Sequence, residues 1–182
     1  MKWRLSLAGL HVPAAERRRG MLELIERTAR AFEAEAPDAG AGGPEEMLRR
    51  FAQFTREQAD RVAASPERAL RVRERLRSEA REFGAGMRAR LGVSTRAEAM
   101  RAARILYRML GVDLKASLTG SITVRSCSFS STYTCGTCAL MAAMDEGLFA
   151  GLAGEGRLEF ATRITDGAAR CVAFFTFEGD RP

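Results

Sequence analysis

The apolar residues of this 182-residue chain recur with a helical period as far as Gly111 and with a strand period beyond it. That switch constrains the fold more than any other feature, because a face written at about 3.6 residues per turn cannot serve a pleated strand. Before the switch, Met21, Leu24, Ile25, Thr28, Ala29 and Phe32 share one helical face. Pro13 suits the first position of that helix. Residues 37–44 (PDAGAGGP) read as a linker. Met47, Leu48, Phe51, Phe54 and Val62 form the stripe of a second helix. Ser65 and Pro66 cap and open a third, with apolar positions at Leu70, Leu76, Ala80, Phe83, Met87 and Leu91 and a stop at Gly92. Thr95 with Glu98 makes a capping box for a fourth helix carrying Met100, Ala103, Leu106, Tyr107 and Leu110, which Gly111 ends.

After Gly111, Leu114, Ala116, Leu118, Gly120, Ile122 and Val124 alternate, which predicts a strand bent or broken at Gly120. A helix is expected from about Thr134 to Leu152, with Leu140, Met141, Met144, Leu148 and Phe149 inward. Leu158, Phe160, Thr162 and Ile164 alternate again. Asp166-Gly167 signals a turn, and Cys171, Ala173, Phe175 and Phe177 share one face of the returning strand. The expected fold class is α+β: an N-terminal four-helix region followed by a small antiparallel sheet with one packed helix. The length suits one domain over 1–182, with a helical front at 13–111 and a cysteine-containing α+β part at 112–182.

Charge divides at the same place. Residues 1–110 carry 23 Lys+Arg against 15 Asp+Glu, whereas residues 111–182 carry 6 against 8. All the basic residues except Lys2 and Lys115 are arginine. A basic face for an anionic partner would look like this. Glutamates are interleaved throughout, however, and favour a solvated helical surface. No apolar run approaches the roughly 18 residues of a membrane span, and Met1 to Val12 is too short for a signal peptide. These features predict a cytoplasmic protein with no membrane partner, in which thiols stay reduced.

All the cysteines fall in the last third, at Cys127, Cys135, Cys138 and Cys171, in the pattern C-x7-C-x2-C-x32-C. Cys135 and Cys138 open a helix, where free N–H groups stabilise a thiolate. Four converging thiolates would suit tetrahedral zinc or an iron–sulfur cluster. Cysteine is equally a small buried apolar residue. A C-x-x-C redox pair would normally follow a strand in a βαβ unit, and none precedes it here. In a nucleophilic reading, Cys138, or else Cys127, attacks an electrophilic carbon. Asp145, two helical turns along from Cys138, and its neighbour Glu146 offer carboxylates; both also suit solvated helix positions. Tyr133 offers a hydrogen-bond donor or simple packing. The only histidine, His11, lies far off in sequence.

Cys127 with Phe129 two positions on, Cys138 at a helix start, and Gly167-x-x-x-Cys171 before a strand make residues 122–177 similar to the L-2-amino-thiazoline-4-carboxylic acid hydrolase-like family. The same stretch resembles the 4-vinyl reductase type of domain and related sensor output domains. The hydrolase pattern sets an Asp close after the second Cys, where this chain has Met141 and carries its Asp at 145. Cys135 is an addition that the pattern does not require. The resemblance implies a hydrolase opening a C–N or C–S bond of a small heterocyclic or amide-like substrate.

Three expectations follow. The first is a cysteine-lined site of Cys127, Cys135, Cys138 and Cys171 that binds zinc or an iron–sulfur cluster and senses or binds a small ligand. The second is the hydrolase, with Cys138, Asp145 and Tyr133 in the catalytic roles. The third is an arginine-rich nucleic-acid-binding module, for which there is neither a helix-turn-helix signature nor aromatic interleaving. The expected partner is a small-molecule ligand or substrate, and a homodimer is left open.

Overall fold

The structure, a computed structural model, describes residues 12–38 and 42–178. It is an α+β fold. Four helices come first: α1 (Ala14–Phe32), α2 (Pro44–Ala63), α3 (Pro66–Leu91) and α4 (Arg96–Met109). Strands β1 (Val112–Ala116) and β2 (Ser121–Cys127) follow, then helix α5 (Cys135–Ala153), β3 (Gly156–Thr162), a 3-10 turn (Ile164–Asp166) and β4 (Cys171–Phe177). The sheet has the order β1-β2-β4-β3, and every neighbouring pair is antiparallel.

The helix starts are set by local chemistry. The Ser65 hydroxyl accepts from the Arg68 N–H, and Thr95 and Glu98 close a complete capping box, so orphan N–H groups of the first turns are satisfied. Gly92 ends α3 in the left-handed conformation. The stripe of α1 is buried as its period requires. In α3 the inward row is Val72, Leu76, Ala80 and Phe83, while Leu70 is 59% exposed. Leu70 breaks the i, i+4 spacing of that row and so faces away from the neighbouring helices.

The stretch expected as one bent strand is a hairpin. Residues 117–120 form its turn, with the Gly120 N–H donating to the Ser117 carbonyl at 3.2 Å. Gly120 has φ +82°, and a Cβ there would lie 2.0 Å from the Phe175 carbonyl oxygen. Period-2 alternation runs unbroken through the tight turn, with Leu118 at the place of an inward residue, so the sequence pattern conceals the reversal. Leu118, at the turn, is exposed.

Helix α5 is the centre of the molecule. It packs against α2, α3 and α4 and against β3. Buried residues ring it: Met141, Ala142, Ala143, Leu148, Phe149 and Leu152. A helix with neighbours on several sides needs little polar surface, and Asp145 and Glu146 are the only charged residues of α5. It meets α3 at glycines. A Cβ on Gly147 would come 2.1 Å from the Arg77 carbonyl oxygen, and one on Gly151 2.2 Å from that of Arg81. One hydrophobic cluster joins the α1 side chains to those of β4.

The basic surface of the front is answered locally. Arg27 bonds Glu23, Glu79 and Glu82; Arg30 bonds Glu79; Arg90 reaches Glu23. Arg73 and Arg77 of α3 both hold Glu146 of α5. No helix among the described residues is long and apolar enough to cross a membrane.

Candidate functional site

A pocket of about 130 Å³ lies between the sheet and α5. Its wall is almost wholly apolar. Strands β1 and β2 contribute Val112, Leu114, Ile122 and Val124, and β3 contributes Leu158 and Phe160. Helix α5 contributes Met141, Ala142, Leu148 and Phe149. Phe51 of α2, Phe129 and Tyr133 add a run of aromatic rings. Phe51 meets Phe129 edge-on at 6.1 Å, and Phe129 stacks on Tyr133 at 5.3 Å.

Three of the four cysteines line this pocket. Cys127 comes from the end of β2, Cys138 from the first turn of α5 and Cys171 from the start of β4. Each is partly accessible and none forms a disulfide. Cys135 is elsewhere. It is exposed, absent from the pocket wall, and its thiol donates to the Thr165 carbonyl at 2.8 Å. The C-x-x-C pair therefore does two jobs: Cys135 ties the helix start to the 3-10 turn, and Cys138 faces the pocket.

This arrangement corrects the metal expectation. Among the described residues no group of three or more His, Cys, Asp or Glu side chains is placed to hold a metal ion. The four-thiolate set of Cys127, Cys135, Cys138 and Cys171, whether for zinc or for an iron–sulfur cluster, is not assembled. Helix-start spacing brought the two close cysteines near in sequence without aiming both sulfurs at one point.

The surroundings of the three pocket thiols favour their neutral form. Burial pushes Cys127 up to about 11, and the nearby Asp145 adds to the rise. Burial also raises Cys138 and Cys171. The Thr165 hydroxyl beside the pocket is buried without a hydrogen-bond partner. Desolvation disfavours the charged form, so these sulfurs stand as neutral thiols at neutral pH.

Asp145 is brought to the pocket as its spacing from Cys138 suggests. It sits deep in the protein, and the little surface it keeps lines the pocket. Burial raises its carboxyl to about 6, against a hydrogen bond from Tyr107 that pulls the other way. The Tyr107 hydroxyl donates to Oδ1 at 2.5 Å. Tyr107 is itself pushed well above its usual range, by burial and then by the adjacent carboxylate. Tyr133 also lines the pocket, but its hydroxyl is 2.8 Å from Thr55 Oγ1, and burial raises its pKa far beyond the working range. Glu146 turns outward to Arg73 and Arg77. His11 lies outside the described residues.

The sequence pattern missed Tyr107 as a site residue, reading it only as part of the α4 stripe. A tyrosine on an apolar stripe is a signal in itself, since its hydroxyl must find a buried partner. No protein-family profile, curated protein or solved structure matches this chain.

Proposed function

We propose that this protein binds a small, mainly apolar molecule inside the pocket between α5 and the sheet. One observation carries the reading. The fold leaves an apolar void in its centre and gathers polar groups at it: the thiols of Cys127, Cys138 and Cys171, and the Tyr107–Asp145 pair. Apolar cavities with a few convergent polar groups are the usual form of a small-molecule site. Most of the wall is Leu, Val, Ile and Phe, and an apolar ligand seated there takes that surface, and its own, out of water. The raised thiols favour binding over attack, because a nucleophile needs the thiolate.

The test uses simple aromatics. Toluene and naphthalene should raise the melting temperature of the full chain, since a ligand at about 100 times its Kd adds about 2.7 kcal/mol to stability. The shift should disappear in Val124→Phe, which fills the void with a ring. A wild-type melt that stays fixed with both compounds at saturation rejects the reading.

A further inference from the structure

We infer that the pocket's ligand carries a positive charge on its apolar body, and that the Asp145 carboxylate, held by Tyr107, is the group that selects it. The inference rests on the pocket reading above and adds the charge of the occupant. Among the described residues, Asp145 is the only charged side chain on the pocket wall. Among them it forms no ion pair; the Tyr107 hydroxyl is its hydrogen-bond partner. A carboxylate in apolar surroundings is costly unless a counter-charge or several donors answer it, and a single hydroxyl answers only part of that cost. An alkylammonium or amidinium ion seated in the void supplies the missing charge. The lining favours such an ion a second time. Phe129, Tyr133 and Phe149 line the same space, and ring faces attract cations.

The other groups near Asp145 are accounted for. From α4 there is Tyr107; from the end of β2, Cys127; just before α5, Tyr133, whose hydroxyl is taken up by Thr55; from the start of β4, Cys171; and on α5 itself, Cys138 and Glu146. The thiols are neutral, and Glu146 is spent on Arg73 and Arg77 of α3. Arg163, just after β3, attracts Asp145 from a distance without pairing with it; it meets the Phe160 ring at 4.9 Å and Asp166 at 3.8 Å, and its Nε is buried with no hydrogen-bond partner. Helices α1, α2 and α3 send only apolar side chains, Leu24, Phe51 and Ala80, to the wall. Among the described residues, then, no cation is bound directly to the carboxylate.

Calorimetric titration of the full chain with benzamidinium, neutral benzamide and toluene decides the matter. At pH 8 benzamidinium should bind on the order of tenfold or more tighter than benzamide, as a charge-assisted hydrogen bond requires. Benzamidinium stays protonated from pH 5 to 8, so any pH effect belongs to the protein. Its advantage should fall below pH 6, by about tenfold per unit, as Asp145 takes up a proton. In Asp145→Asn the advantage should vanish while toluene still binds. If that variant does not fold, Tyr107→Phe keeps the carboxylate. It should retain the preference at pH 8 and lose it at a higher pH than wild type, because the hydrogen bond that holds the carboxyl down is gone. Benzamide binding as well as benzamidinium to wild type, or an undiminished preference in Asp145→Asn, overturns the charge inference alone. Failure of toluene and benzamidinium together removes the pocket reading and this inference with it.

Discussion

Asp145 illustrates how a single residue can trade stability for a site. Its folded-state carboxyl titrates at about 6, above its usual value of 3.8. A carboxyl raised in the folded state contributes stability that is fully present below the unfolded value and lost as pH rises through the folded one. The loss here falls between about pH 4 and pH 6. Above that window the chain carries a buried charge at a cost of up to about 3 kcal/mol, since a tenfold change in proton affinity is worth about 1.4 kcal/mol. Asp145→Asn keeps an acceptor for Tyr107 and removes the charge. It should therefore raise the melting temperature at pH 8, with the gain shrinking towards zero at pH 4. Equal melting temperatures for variant and wild type at pH 8 would show that the carboxylate is not penalised by its surroundings. The sequence made this residue legible, because two helical turns separate it from Cys138. It did not make Cys135 legible. A position at a helix start says that a thiol is near free N–H groups, not which way its sulfur points, and here the sulfur reaches out to the Thr165 carbonyl.

At the scale of elements, the contact between α3 and α5 decides whether the pocket exists, since α5 forms one of its walls. The two backbones approach at Gly84, Gly147 and Gly151, and a Cβ on Gly84 would lie 2.6 Å from the Leu148 carbonyl oxygen. Backbone cannot give way as a flexible side chain can, so Gly84→Ala and Gly147→Ala should each destabilise the protein by about 3 kcal/mol or more through overpacking. Gly86→Ala is the control on the same helix. A Cβ there meets only Arg90 Nη2 at 4.0 Å, and the change should be neutral or stabilising by up to about 1 kcal/mol. Chemical denaturation of the three variants separates close packing from helix propensity; a Gly84→Ala variant as stable as Gly86→Ala would contradict it. The helices themselves were legible because caps and stripes coincide, as with Thr95, Glu98 and the row Met100, Ala103, Leu106. The glycine crossing was not, because a helix with partners on several sides shows no single stripe to reveal any one of them. The β1–β2 reversal was hidden for a related reason: strand alternation has the same phase on both sides of the turn at Gly120.

The whole molecule is organised as a small sheet that borrows its hydrophobic cover from the helical front. Arginines on that front are largely matched by glutamates across helix boundaries, as with Arg73 and Arg77 on Glu146 or Arg27 on Glu79. Such partly exposed pairs are each worth about 1 kcal/mol or less, so they fix register more than they supply stability. Burial of α5 supplies the rest. Without residues 1–111, α5 would expose the side that meets α2, α3 and α4, Tyr133 would lose Thr55, and Asp145 would lose Tyr107. What remains, four short strands and one apolar helix, is close to the size at which a single core becomes marginal. A fragment comprising residues 112–182 should therefore lack a cooperative melt and bind hydrophobic dyes as a loosely packed chain does. Residues 1–111 added in trans should restore a sigmoidal transition, because the missing surface is complementary and not covalently required. Circular dichroism melts of each fragment and of their mixture make the comparison. A cooperative transition in 112–182 alone would mean that the sheet and α5 form an independent unit, and that the helical front is an attachment to the pocket and not its roof.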